Sequence, residues 1–278
     1  MTAGTAGAPP ASAAARFRAL LTAAHGPPAL AVTVLAGLLS VAAGHGTGTT
    51  VLVVAAVLTG QLTIGWSNDL VDLDRDRSVG RSDKPLVTGR LPVVWVRAAC
   101  AGAVVATVPL SLACGAVAGG LHLVGVAAGW AYNLGLKRTW WSWLPYAVAF
   151  GALPAFVSLA GLDGEAPPWW WPVAGALLGV GAHLLNVLPD LADDAATDVR
   201  GLPHRLGRRR IPGVAAAVLL GASAAILPGA GVPLVLALLT ALVLLGLAAV
   251  VVTRTGKVPF AAAIGIALVD VVLLVAAR

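Results

Sequence analysis

The chain has 278 residues, 59% of them hydrophobic and only 11% charged, with a mean hydropathy of +0.90. That balance excludes an ordinary soluble globule and marks an integral membrane protein. A net charge of +6 would suggest nucleic acid for a soluble chain, but no nucleic-acid partner is expected here, because the bilayer governs where the basic residues fall.

In chain order, residues 1–15 are rich in Ala, Gly, Pro, Ser and Thr and read as a disordered tail, with residues 16–278 as a single transmembrane domain. Crossing a bilayer as helix takes roughly 20 apolar residues. That length places nine spans near 27–43, 49–67, 92–110, 113–131, 141–161, 168–188, 211–228, 231–252 and 258–277. The third and fourth are divided at the weak Leu112–Gly115 stretch, because one continuous helix through both would overshoot the bilayer. The expected fold class is all-α, a polytopic membrane protein.

Basic residues then orient the spans. Arg16 and Arg18 precede the first; Arg75, Arg77, Arg81, Lys84, Arg90 and Arg97 follow the second; Lys137 and Arg138 follow the fourth. Arg200, Arg205, Arg208, Arg209 and Arg210 follow the sixth, and Arg254 and Lys257 the eighth. Seventeen of eighteen thus share one face, Arg278 being the exception, which makes the N-terminus cytoplasmic and the protein a multi-pass cell-membrane protein. Trp140, Trp141, Trp143 and Trp169, Trp170, Trp171 read as interfacial belts at the two faces. Cys100 and Cys114 lie in apolar stretches with no metal or redox spacing and read as small core hydrophobes.

The acids are the informative residues. Nine of the twelve Asp and Glu fall in or beside 68–76 and 190–198, at the cytoplasmic ends of spans two and six. Carboxylates at that density repel one another and call for a cation, most simply a divalent metal with oxygen ligands. Asn68, Asp72 and Asp76 step by four, as do Asn186, Asp190, Asp194 and Asp198, so a continuing helix would align each set in one column. The clusters lie about 120 residues apart, which suggests a degenerate repeat of about four helices with a ninth appended.

One such cluster could be a solvated loop. Two matched columns at a membrane edge point to function. They could hold two or three Mg²⁺, an ion that keeps waters and shares phosphate oxygens, so a phosphate-bearing substrate completes the site. Arg81, Lys84, Lys137, Arg138, Arg200 and Arg205 lie nearby in sequence as candidate anion partners.

Asn68-Asp69-x-x-Asp72-x-x-x-Asp76, Arg81-x-x-Lys84-Pro85, Tyr132 with Lys137, and Asp190-x-x-x-Asp194-x-x-x-Asp198 together resemble the UbiA superfamily of intramembrane prenyltransferases. The resemblance implies nine helices around a central cavity open to lipid, and a polyprenyl diphosphate held by Mg²⁺ between the two motifs on the cytoplasmic side. It implies metal ligands at Asn68, Asp72, Asp76, Asp190 and Asp194, with Asp69 and Asp198 supporting or binding through water. Whether the second set is 190/194/198 or uses Asp193 stays open. Arg81, Lys84, Lys137 and Arg138 would hold diphosphate, and Tyr132 would approach the reacting carbon.

The implied chemistry is ionisation of the allylic carbon–oxygen bond and capture of the cation in a dry cavity by an electron-rich acceptor, aromatic or quinone-precursor in type. A UbiA-type terpene cyclase would use the same ionisation with no external acceptor. A divalent-cation carrier would need polar groups through the outer halves of the spans, which offer almost none. Trp66, Trp130 and His183 read first as packing residues, Asp270 as an interhelical hydrogen bond, and His25 as part of the entry to span one or as an acceptor contact.

Overall fold

In hydrocarbon every backbone polar group must be satisfied within its own segment, so apolar spanning segments fold as helices. The computed structural model describes residues 12–162, 164–255 and 257–276, with the side chain of Asp193 also outside the description. Among the described residues there are helices and no strands. They run α1 (Ala13–Ala23), α2 (Gly26–Ala42), α3 (Thr47–Val71), α4 (Leu73–Ser78), α5 (Val93–Ala113), α6 (Ala116–Leu134) and α7 (Leu144–Ser158). The second part holds α8 (Trp170–Val187), α9 (Leu191–Ala196), α10 (Leu202–Leu206), α11 (Ile211–Gly229), α12 (Leu234–Thr253) and α13 (Val258–Ala276).

Helix α1 begins inside the segment read as a disordered tail. Ser12 caps it by accepting from the Ala15 amide, and the Ala-rich turn that follows propagates readily. The rest of that tail, residues 1–11, lies outside the described residues. The third and fourth expected spans part as anticipated, with α5 ending at Ala113 and Gly115 taking φ 116° before α6.

Six helices, α3, α5, α8, α11, α12 and α13, are long and apolar enough to cross a membrane, and the bent pair α1–α2 would make a seventh. Helix α7 has only 15 residues, and α6 is diluted by His122, Tyr132 and Asn133. Helix α12 turns most of its surface outward, with Leu234, Leu238, Leu242 and Leu245 all more than half exposed, as suits a lipid-facing element. Inside, α8 meets α7 through small residues. A Cβ on Gly175 or Gly179 would stand 2.4 Å from the carbonyl oxygen of Phe150 or Tyr146, a backbone-to-backbone approach available only to glycine.

A similar approach sets the roof of the site. Helices α1 and α2 bend by 72° at a break, where His25 takes a left-handed conformation with φ 53°. The bend docks on α3 at Gly65, whose added Cβ would lie 2.1 Å from the Ala24 carbonyl oxygen. One residue on, Trp66 Nε1 donates to the Leu20 carbonyl at 3.0 Å, which assigns that indole to anchoring. Gly65→Ala should therefore lower stability by about 1–3 kcal/mol through overpacking, whereas Gly102→Ala, where an added Cβ meets nothing within 4 Å, should be neutral or stabilising by up to about 1 kcal/mol. Thermal unfolding of the detergent-extracted protein checks the pair, and equal effects would contradict the docking.

Candidate active site

The two acidic motifs have the same backbone. Helix α3 ends at Val71, and Asp72 (φ −87°, ψ 0°) opens the six-residue α4. After α8, Asp190 (φ −91°, ψ 0°) opens the six-residue α9. Hydrogen bonds from the Asp76 amide to the Asp72 carbonyl at 2.8 Å and from the Asp194 amide to the Asp190 carbonyl at 2.9 Å keep the four-residue step in both. At an offset of 118 positions Asn68, Asp72, Leu73, Asp76 and Pro85 fall on Asn186, Asp190, Leu191, Asp194 and Pro203.

The exits match as well, and they remove Asp198 from the expected column. The Arg81 amide donates to the Asp76 carbonyl at 3.0 Å, and the Val199 amide to the Asp194 carbonyl at 2.9 Å. Gly80 (φ 67°) and Asp198 (φ 58°) take equivalent left-handed positions there. A four-residue step holds only while the helix lasts, and α9 stops at Ala196. Asp198 is the residue that ends the helix; its side chain is 91% exposed and pairs with Arg200 at 3.4 Å.

Between the motifs stands Arg75. Its guanidinium lies 3.1 Å from Asp72, 3.2 Å from Asp76 and 3.6 Å from Asp194, so carboxylates of both motifs share one cation. Lys137, on the turn after α6, is buried and donates to both oxygens of Asp72. Arg81 pairs with Asp83 at 2.9 Å and reaches Asp190 at 3.8 Å. Among the described residues no group of three or more His, Cys, Asp and Glu forms a ready-made metal cage.

Burial and charge act against each other here. Asp194 is pushed up to about 6, first by desolvation, with Arg75 pulling it down. Desolvation lowers Lys137, opposed by Asp72. Asp83 is drawn down to about 2 by its hydrogen bond from Arg81, whose own value is raised by the same bond.

The remaining expected residues divide. Lys84 turns to the wholly buried Asp69, and His25 Nε2 lies 3.0 Å from both Asp69 Oδ1 and Lys84 Nζ, so this trio ties the α1–α2 bend to the first motif. Asn68 donates to Asn133 Oδ1 at 3.1 Å, and Asn133 in turn donates to Ser67 Oγ and the Ile64 carbonyl. Arg138 is exposed beside Lys137. Tyr132 meets Tyr146 edge-on at 5.3 Å and His183 at 5.7 Å, and Asn186 donates to the Tyr146 hydroxyl at 3.5 Å. His183 Nε2 reaches Ser142 Oγ at 3.1 Å. Asp270 accepts from Ser223 across α11 and α13, the interhelical bond expected of it. The Asp193 side chain lies outside the described residues, so its part in the second motif does not enter.

Sequence reasoning missed Arg75 and Asn133. The first sat inside the acidic run and read as an orientation charge. The second had one available signal, a polar residue one step after Tyr132 on an apolar helix.

A profile described as the UbiA prenyltransferase family matches residues 30–269. Two curated relatives are similar in sequence. The bacteriochlorophyll synthase 33 kDa chain of Cereibacter sphaeroides is 35% identical over 196 residues, 66% of this chain and 62% of that protein. Its namesake from Rhodobacter capsulatus is 31% identical over 188 residues, 60% of this chain and 58% of that protein. The chain thus spans less than two thirds of the length of either relative. Solved structures of low identity share the fold. A UbiA homologue from Archaeoglobus fulgidus bound to GPP and Mg²⁺ has TM-score 0.67 at 14% identity, covering 94% of this chain and 100% of that one. A UbiA homologue from Aeropyrum pernix K1 has TM-score 0.68 at 19%, covering 92% and 96%.

The equivalence of Asp198 with Gly80 gives a direct check. Asp198→Gly should leave thermal stability unchanged or raise it by up to about 1 kcal/mol, since glycine takes the left-handed conformation without strain, and Asp198→Val should lower it by about 1–2 kcal/mol. A clear loss with glycine would mean that the carboxylate itself is engaged.

Proposed function

This chain belongs to the UbiA prenyltransferase family, and from that premise we propose that it is a Mg²⁺-dependent intramembrane enzyme moving a prenyl group from a prenyl diphosphate to an acceptor at the bilayer face. The observation that carries the proposal is the meeting of Asp72, Asp76 and Asp194 on the single guanidinium of Arg75. A place where three carboxylates from two motifs share one cation suits a shared metal–diphosphate cluster. The donor chemistry fits Mg²⁺, which binds through a few carboxylates, waters and substrate phosphate oxygens rather than in an all-protein cage.

Asn68, Asp72, Asp76, Asp190 and Asp194 would hold the metal, and when bound it supplies positive charge to the departing diphosphate. Arg75, Lys137 and Arg81 contact those acids and, with Arg138 next to Lys137 in the chain, would take up diphosphate oxygens, Arg bidentately and Lys as a point charge. Tyr132, which feels the charges of Asp72 and Asp194, and Tyr146 packed against it would offer aromatic faces to shelter an allylic cation. The prenyl tail would run into the mainly apolar cleft between α3, α6 and α7, lined by Val57, Ile64, Leu121, Val126, Phe150 and Leu153 with Gln61 and His122 as its polar members; such a lining would keep most water from the cation. His25 and Lys84, held on Asp69 at the α1–α2 bend, would meet an acceptor entering from the aqueous side.

Transfer is preferred over cyclisation because the curated relatives are named as synthases of bacteriochlorophyll. A bacteriochlorophyll precursor is accordingly the first acceptor to try, ahead of aromatic and quinone precursors. Nine membrane crossings with the N-terminus and both acidic motifs on the cytoplasmic side are supported by the seventeen basic residues gathered at that face.

Two measurements test this reading. Asp72→Asn or Asp190→Asn should reduce diphosphate release from geranyl, farnesyl or geranylgeranyl diphosphate to background in a folded protein, and chelator should do the same reversibly, because each lost charge empties the shared cluster; near-normal turnover by either variant would sink the assignment. Cysteines placed at Ser82 and at the fully exposed Leu162 should label oppositely in intact cells, with only the latter reached by an impermeant reagent from outside. The reverse pattern would refute the orientation.

A further inference from the structure

Beside α9, and adjoining the second motif through His204, lies a cavity of about 440 Å³, a size that accommodates a small organic ligand. Its floor is apolar, made by Leu191, Ala192 and Ala195 of α9, and its other walls carry Arg200, His204 and Arg208. No acid lines it among the described residues.

The histidine points to a missing ligand. His204 is 91% buried by side chain, since only 9% is exposed, and its nearest acidic oxygen, Asp194 Oδ2, stands 3.7 Å away, beyond hydrogen-bond reach. Neither ring nitrogen has a hydrogen-bond partner, a state that costs free energy unless something fills it. The two arginines are free to answer the same ligand. Arg208 is exposed, and among the described residues the one ion pair of Arg200 is with Asp198, at 3.4 Å and with both side chains mostly in solvent, which is worth little. Nearby, Arg205 stacks over the exposed Trp140 at 5.8 Å, an arrangement that belongs at the boundary of bilayer and water.

We propose that this cavity is a second anion site, adjoining the carboxylate cleft on the far side of His204, which takes a phosphate group joined to an apolar moiety. The arginines and the histidine grip the phosphate and the floor covers the apolar part. Two sources carry that chemistry, the headgroup of an anionic bilayer lipid and a phosphate arriving from water. Occupancy would brace α9, the helix that leads from Asp190 to Asp194, without touching the reacting atoms.

The test uses the full-length protein in chelator, so that the carboxylate cleft has no divalent ion and the outcome is independent of the proposed reaction. In one arm, inorganic phosphate is titrated against the detergent-extracted protein at constant ionic strength, with thermal unfolding as readout. In the other, nanodiscs of phosphatidylcholine with and without phosphatidylglycerol replace the detergent. Arg200→Gln/Arg208→Gln should weaken the response about tenfold in apparent affinity in at least one arm, while the charge-matched pair Arg209→Gln/Arg210→Gln outside the cavity leaves it intact. His204→Gln, which disturbs the fold least, should move in the same direction as the first pair. A selective loss in the phosphate arm supports the site with a water-borne source, and one confined to the lipid arm supports it with a headgroup. Equal losses for both pairs, or no response to either probe, would overturn the proposal in favour of a nonspecific basic surface.

Discussion

Carboxylates packed at the end of a low-dielectric helix bundle cannot share a small space unless a cation stands among them. Arg75 is that cation for Asp72, Asp76 and Asp194, and Lys137 adds a second charge on Asp72. These contacts join three separate stretches of chain, the ends of α3 and α8 and the turn after α6. Removing one partner of such a buried set leaves an uncompensated charge, at a cost of about 3–5 kcal/mol. The proposed metal–diphosphate ligand would exchange one set of positive charges for another at these carboxylates.

The internal repeat is plain in the backbone and broken in the side chains. Asp72 and Asp190 share φ and ψ to within a few degrees, and each opens a six-residue helix. Yet Arg75 of the first motif aligns with Asp193 of the second, and Gly80 aligns with Asp198. One motif thus supplies both acids and the bridging cation, while the other supplies acids alone. The basic groups that follow also differ, Lys84 pairing with Asp69 of the first motif and Arg81 reaching across to Asp190 of the second, while Arg200, His204 and Arg208 line a cavity beside the second.

Much of this was legible in the sequence because apolar length and acid spacing are local properties. The break between α5 and α6, the two motifs and their four-residue step follow from such patterns alone. What failed did so for definable reasons. The column ending in Asp198 assumed a helix that stops two residues earlier, and helix ends depend on backbone turns that spacing does not encode. Arg75 was hidden because a basic residue within a membrane-edge run has an adequate explanation in orientation. Helix α1 was hidden by composition, since an Ala-rich stretch is compatible with coil until a cap such as Ser12 closes it. Pairings such as Asn68 with Asn133, 65 positions apart, have no local signature.

The central claim is that the two motifs act as one cation site. It is tested most directly by a double-mutant cycle on Asp72→Asn and Asp194→Asn, reading Mg²⁺-dependent binding of an unreactive prenyl diphosphate analogue. A shared cluster predicts that either single substitution removes most of the metal-dependent affinity and that the double variant loses little more, giving a coupling energy of about 1–3 kcal/mol. Additive losses, each motif contributing its own share, would contradict the account.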